Sequence, residues 1–96
     1  MPWRGYSGYL FTRPSVFANA PTGSGVYALW AGQTLVYVGE SDDLQRRLLE
    51  HLTNPGPCLR LYAALAFGYE VNPTVTERRE RRDELIAEFN PACNAR

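Results

Sequence analysis

The sequence predicts an α+β domain with a small three-stranded antiparallel sheet flanked by helices. First, a chain of 96 residues, of which 45% are hydrophobic and 12% aromatic, can fill one modest core. Second, two β-prone runs separated by a short turn predict a hairpin. Third, another β-prone run lies between helical segments. The resulting order, β-β-α-(α)-β-α, is typical of one antiparallel sheet with helices packed on it.

Residues 1–24 precede the first predicted strand and are rich in glycine, proline, serine and aromatic residues. No helical or strand period is sustained there, so we expect an irregular arm that contains a short strand or a turn of helix. Its aromatic residues are Trp3, Tyr6, Tyr9, Phe11 and Phe17. We expect them to pack on the domain formed by residues 25–96, and stacking on the bases of single-stranded nucleic acid is the alternative.

A hairpin is predicted over residues 26–39. Residues 26–30 and 35–39 are rich in β-branched and aromatic side chains, and the turn between them contains Gly32. Two such runs joined by a short glycine-containing loop are typical of antiparallel pairing. Residues 67–71 alternate in hydrophobicity and predict the third strand.

Helices are predicted after the hairpin and near the end of the chain. Ser41, followed by Asp42 and Asp43, is suited to cap the first helix, which the breakers at residues 54–57 end. The core-facing stripe of this helix consists of Leu44, Leu48 and Leu52. A short helix is predicted over residues 58–66, and a long one runs from about residue 76 to residue 89.

Net charge favours no particular partner, because ten basic residues balance ten acidic ones. All ten basic residues are arginine, whose planar guanidinium suits phosphate; a compositional bias without function is the alternative. Cys58 and Cys93 are too few for a disulfide scaffold, so we expect two free thiols in a reducing cytoplasm. His51 is the one histidine, which argues against a zinc site. No apolar run is long enough to span a membrane.

Four side chains on adjacent predicted elements suit phosphodiester chemistry. Tyr27 and Tyr37 lie in neighbouring strands of the hairpin, and Arg47 and His51 share one face of the following helix. We expect all four at the rim where that helix meets the sheet. Phenols, a guanidinium and an imidazole at one rim can bind an anionic phosphodiester and carry protons. Ordinary strand tyrosines beside a solvated Arg–His pair are the alternative.

Four short motifs, in order along the chain, resemble the GIY-YIG nuclease superfamily. The first two are Gly-Val-Tyr at 25–27 and Tyr-Val-Gly at 37–39, and residues 39–48 resemble the first-helix pattern that follows them. The fourth is the closing segment, in which Leu85 and Ile86 are followed by residues 90–94. The resemblance covers about residues 20–94, which is nearly the whole domain.

The resemblance implies metal-dependent hydrolysis of nucleic-acid phosphodiester bonds, with Mg²⁺ or Mn²⁺ as the cofactor. By position, Tyr27 and Tyr37 would be the catalytic phenols, Arg47 would hold the scissile phosphate and His51 would be an auxiliary base. Asn94 would support the site or anchor the chain end. The expected partner is nucleic acid, DNA in preference to RNA. A homodimer or a separate targeting partner would supply specificity.

Two positions depart from the pattern of the superfamily. Glu40 stands where a lysine is often found, which removes a positive charge near the phosphate. Arg82 stands where the superfamily has its metal-binding glutamate. On a helix, Arg82 falls within about 60° of Leu85, Ile86 and Phe89, so we expect it to point inward. A guanidinium there cannot ligate Mg²⁺, which prefers oxygen ligands.

Further arginines near these positions are expected to contact nucleic acid. The expected nucleic-acid-binding residues are Arg46, Arg78, Arg79 and Arg82. The acids of the last helix are expected on its solvated side, in the pairs Glu77–Arg81 and Arg79–Asp83. A late start or a kink of that helix would instead bring a carboxylate into the site.

Three functional hypotheses follow from the sequence. The first is a nuclease with an altered or relocated metal ligand. The second is a nucleic-acid-binding module that kept Arg47 and the arginine face of the last helix but has lost cleavage. The third is a nuclease into which Arg82 was introduced to silence it.

Overall fold

The computed structural model describes residues 8–94. The elements in this part of the chain are β1 (Tyr9–Leu10), α1 (Arg13–Asn19), β2 (Gly25–Ala31), β3 (Thr34–Ser41), α2 (Leu44–Thr53), α3 (Gly56–Tyr62), β4 (Ala66–Val71) and α4 (Val75–Phe89). The predicted α+β class is therefore confirmed. Trp3 and Tyr6 of the expected arm lie outside the described residues.

The sheet is antiparallel and has the strand order β1-β4-β2-β3. The hairpin of β2 and β3 is present as predicted. The sheet has four strands rather than the predicted three, because Tyr9 and Leu10 pair with Phe67 and Ala66 of β4. A strand of two residues is too short to show the alternation on which a strand prediction depends.

The segment expected to be an irregular arm contributes a helix as well as β1. Thr12 caps α1, since its Oγ1 accepts a hydrogen bond from the backbone N–H of Ser15 at 3.3 Å. Val16 and Ala20 lie in the core, whereas Phe17 is 56% exposed, contrary to the expectation that it packs on the domain. The helix has seven residues, which is too few for a clear helical period.

The two faces of the sheet bury different sets of side chains, because successive residues of a strand point to opposite faces. Tyr27, Leu29 and Phe67 pack with Leu44 and Leu48 of α2 on one face. The other face packs against α4, and its buried residues are Val26, Ala28, Trp30, Val38 and Leu85. The molecule is therefore a central sheet between two helical layers.

Helix α2 begins two residues later than expected. Asp43 is its N-cap, and the carboxylate of Asp43 accepts from the backbone N–H of Arg46 at 3.0 Å. Ser41, the predicted cap, instead accepts from the backbone N–H of Asp43 at 3.0 Å, one step before the helix. Of the predicted stripe, Leu44 and Leu48 are fully buried.

Cys58 and Cys93 form a disulfide, with their Cα atoms 5.7 Å apart, so the expectation of two free thiols is wrong. The segment after α4 returns beside β3, where the N–H of Cys93 donates to the carbonyl of Val36 at 2.7 Å. This return brings Cys93 to α3. The prediction failed because it was based on the number of cysteines and an assumed reducing compartment, and neither shows whether the fold brings the two residues together. The cytoplasmic location itself stays a prediction. Within residues 8–94, no helix is long and apolar enough to cross a membrane.

Candidate functional site

An open pocket of about 430 Å³ lies at the edge of the sheet, along β3 and between α2 and α4. We call it the edge pocket. The residues that matter for its chemistry are Tyr27, Tyr37, Glu40, Arg47, Arg82 and Asn94. Because β3 alternates, Tyr37 lies on the face covered by α2, and Glu40 lies on the face covered by α4. The pocket therefore spans the strand edge and is reached from both helical layers.

Tyr27 is the most buried polar side chain of the pocket, with 1% of its surface exposed. It pairs with Gly39 across the hairpin, and its phenol lies over that glycine. A Cβ atom at position 39 would collide with the ring and hydroxyl of Tyr27. Gly39 is thus required by the close approach of the phenol, which explains in physical terms why this motif needs a glycine there.

The hydroxyl of Tyr27 lies 2.6 Å from Nε2 of His51. The ring centroid of Tyr37 lies 6.0 Å from that of Tyr27 and 5.4 Å from that of His51, so the three rings form one cluster. His51 is only 8% exposed and lies beneath the tyrosines, rather than at the open rim that the helix spacing suggested.

The protonation states in this cluster follow from burial. Burial, and then the nearby Arg47 charge, lower the pKa of His51 to about 4, so its imidazole is neutral at pH 7. Burial also raises the pKa of Tyr27 above its ordinary value, so the phenol keeps its proton. Assigning the imidazole proton to Nδ1 lets the Tyr27 hydroxyl donate to Nε2 of His51. Arg47 and Tyr37 also interact with the Tyr27 phenol, and the Arg47 charge opposes the rise in the pKa of Tyr27.

Arg47 brings a positive charge to the α2 side of the edge pocket. Its Nη1 donates to Oε1 of Glu50 at 2.9 Å, and this hydrogen bond is the main cause that raises the pKa of Arg47. The Arg47 side chain is 42% exposed, so a ligand can reach its guanidinium. The sequence reasoning missed Glu50 as the holder of Arg47, although its spacing of three residues on one helix was a usable signal.

Arg82 faces the edge pocket from α4, as the helical spacing predicted. Its Nη1 lies 3.7 Å from Oε2 of Glu40, and its Nε donates to Oδ1 of Asp83 at 3.0 Å. Glu40 is also bound by Arg78, whose Nε donates to Oε1 at 2.6 Å, and it lies 3.6 Å from the exposed Arg79. Three arginines of α4 therefore converge on one carboxylate of β3. This contact joins two elements that are far apart in the chain, so helical spacing could not predict it.

The predicted ion pairs Glu77–Arg81 and Arg79–Asp83 are wrong. Arg81 instead makes two hydrogen bonds of 3.0 Å with the carboxylate of Glu70 in β4, and a third with Glu84 at 3.1 Å. Spacing within a helix cannot reveal Glu70, because that partner comes from the sheet. This bidentate pair with Glu70 ties α4 to β4, and Arg81 does not line the edge pocket.

Arg46 and Asn94 have different placements. Arg46 lies outside the edge pocket; it pairs with Asp42 at 3.0 Å and lines a second cavity of about 610 Å³ along α2, which shares Arg47 with the edge pocket. Asn94 lies at the edge pocket and closes the open edge of β3. Its Oδ1 accepts from the N–H of Val38 at 2.8 Å, and its Nδ2 donates to the carbonyl of Val38 at 3.0 Å.

The side chains of the edge pocket do not fit a divalent cation. Its carboxylates, Glu40 and Asp83, both face arginine guanidinium groups. Mg²⁺ is usually bound through one or two carboxylates and keeps several waters, so carboxylates that are already paired with guanidinium groups are poor ligands for it. Within residues 8–94, no group of three or more His, Cys, Asp or Glu side chains could hold a metal ion. Position 82 itself presents a positive charge.

No family model matches the chain, and no curated protein matches its sequence. Solved structures do match. The N-terminal GIY-YIG endonuclease domain of UvrC from Thermotoga maritima, as a point mutant bound to its catalytic divalent cation, has a TM-score of 0.75 and 22% identity over 88% of this chain and 94% of that one. A tyrosine-to-phenylalanine mutant of that domain has a TM-score of 0.73 and 25% identity over the same shares. The magnesium-bound domain has a TM-score of 0.72 and 24% identity, over 86% of this chain and 94% of that one.

These matches confirm the resemblance at the level of the fold. The chain has the fold of a GIY-YIG endonuclease domain. At these identities the structural similarity shows the fold alone. The chemistry of this chain depends on the residues of its own pocket.

Proposed function

We propose that the chain binds nucleic acid at the edge pocket, with DNA preferred to RNA, and that Arg47 holds a backbone phosphate there. The observation that carries the proposal is the accessible Arg47 guanidinium beside the Tyr27–His51 pair, in the open pocket of a nuclease fold. A guanidinium forms charge-assisted, bidentate contacts with phosphate oxygens.

The shape around Arg47 supports a chain-like ligand. Arg47 lies between the edge pocket and the cavity along α2, so a phosphate at Arg47 leaves room on both sides for the nucleotides joined to it. The exposed Arg46 and Arg79 extend the positive charge beyond Arg47, on α2 and on α4. The expected homodimer or targeting partner stays a prediction.

Replacing Arg47 tests this proposal. In Arg47→Ala, affinity for a labelled DNA oligonucleotide should fall by about tenfold or more, because one charge-assisted contact is lost. The slope of log affinity against log salt should lose about one unit, as expected for one phosphate contact. Arg60→Ala, an exposed arginine outside both cavities, is the matched control. Unchanged binding by a folded Arg47→Ala variant would refute the assignment, and RNA oligonucleotides test the preference for DNA.

Hydrolysis of the phosphodiester is the second candidate function. It is favoured by the buried hydrogen bond between Tyr27 and His51, which could pass on a proton from an attacking water molecule. It is opposed by the Arg82 guanidinium, which stands where a metal ligand would be needed.

We expect the unmodified chain to leave supercoiled plasmid intact with either Mg²⁺ or Mn²⁺. Gel electrophoresis after incubation checks this expectation. Metal-dependent nicking that is abolished in Glu80→Ala or Glu84→Ala would overturn it and would show that the metal ligand has moved along α4.

A further inference from the structure

Glu40 and Arg82 are the two positions at which the sequence departs from the resembled pattern, and the structure brings them together. The guanidinium of Arg82 lies 3.7 Å from the Glu40 carboxylate at the edge pocket. The two departures are therefore one ion pair, in which the anion belongs to β3 and the cation to α4.

Glu40 is well placed to keep the arginines of α4 close together. Its side chain is 15% exposed, and Nε of Arg78 lies 2.6 Å from its Oε1. Arg78 is itself only 12% exposed, so this buried contact holds the carboxylate in position. Guanidinium groups repel one another, and the shared carboxylate offsets that repulsion. Arg82 is held toward the pocket by this anchor.

Arg82 keeps free donors for a ligand. Its Nε is bound to Asp83 and its Nη1 faces Glu40, while the N–H groups of Nη2 have no partner among the described residues. The Arg82 side chain is 32% exposed. Arg47 reaches the same pocket from α2, on the other side of β3, so two guanidinium groups approach it from opposite walls.

We propose that Arg82 is the second phosphate-binding cation of the edge pocket, held there by Glu40, and that the pocket takes a phosphate group without a divalent cation. The inference rests on the proposed binding of nucleic acid and specifies how charge is supplied. The α4 guanidinium and Arg47 together neutralise the phosphate, which is the role a bound metal ion would otherwise have.

The test compares binding with and without divalent cations. Affinity of the unmodified chain for a labelled DNA oligonucleotide, measured by fluorescence anisotropy at fixed ionic strength, should agree within about twofold between excess EDTA and Mg²⁺. Loss of binding in EDTA, regained with Mg²⁺, would overturn the proposal. This measurement needs no variant, so it is independent of any effect on folding.

A pair of variants then locates the cation. In EDTA, Arg82→Gln should bind about tenfold more weakly than the unmodified chain, and Arg60→Gln should bind within about twofold of it. Circular dichroism melting checks that both variants are folded. Equal binding by folded Arg82→Gln and Arg60→Gln would refute the role of Arg82. If Arg47→Ala lowers affinity while Arg82→Gln does not, this inference fails and the proposed function stands; if neither does, the proposed function fails.

Discussion

The position of Tyr27 depends on two other residues of the site. Its phenol needs the missing side chain of Gly39 on one side and His51 as its acceptor on the other. The sequence could name Tyr27, Tyr37, Arg47 and His51 as a group, because strand pairing and helical spacing place them on neighbouring elements. It could not show that His51 is buried, because the depth of a helix face depends on how the helix tilts onto the sheet.

The burial of His51 makes stability depend on pH. Its folded-state pKa of about 4 lies below the ordinary value of 6.5, so the unfolded chain binds the proton more readily. The stability associated with neutral His51 is complete above about pH 6.5 and is lost as the pH falls toward 4. Glu50, which faces His51, opposes this shift, and the Arg47 charge adds to it.

Urea unfolding at a series of pH values across this window measures the effect. The urea midpoint of the unmodified chain should fall more steeply with acid than that of His51→Gln, because only the unmodified chain has the buried imidazole that titrates in this window. The carboxylates titrate equally in both proteins. Parallel curves would contradict the expected titration of His51.

At the scale of elements, the hairpin and the long last helix were predictable because their periods run over many residues. β1 and α1 were not, since two and seven residues carry too little pattern. The pairing of α4 with β4 through Arg81 and Glu70 was also hidden, because the partners lie on different elements. The same limit hid the contact of Glu40 with three arginines, which links the end of β3 to α4.

Positions 40 and 82 together carry no net charge, both in this chain and in the resembled pattern. A lysine and a glutamate in the resembled pattern are replaced here by Glu40 and Arg82. What changes is the element that carries the cation, which is α4 here. The proposed binding of phosphate without Mg²⁺ depends on this change, because a guanidinium can pair with phosphate and cannot ligate a metal ion.

For the whole molecule, the disulfide is the strongest constraint that the sequence did not predict. It closes a loop of 35 residues, for which the chain-entropy model gives about 3–4 kcal/mol of stabilisation. We expect a reducing agent to lower the free energy of unfolding by about that amount. Chemical denaturation with and without the agent measures it, and a double variant, Cys58→Ser with Cys93→Ser, should be insensitive to the agent. A midpoint unchanged by reduction would contradict this role.

The same covalent ring determines how the molecule would respond to a mechanical pull at its C-terminus. Tension entering beyond Cys93 passes through the sulfur–sulfur bond to Cys58 and continues toward the N-terminus, because that path is shorter than the chain through the ring. The intervening residues, including all of β4 and α4, are shielded from the force. The tension would therefore reach the contact between Arg82 and Glu40 from the β3 side only, because Glu40 lies outside the ring while α4 itself bears no force.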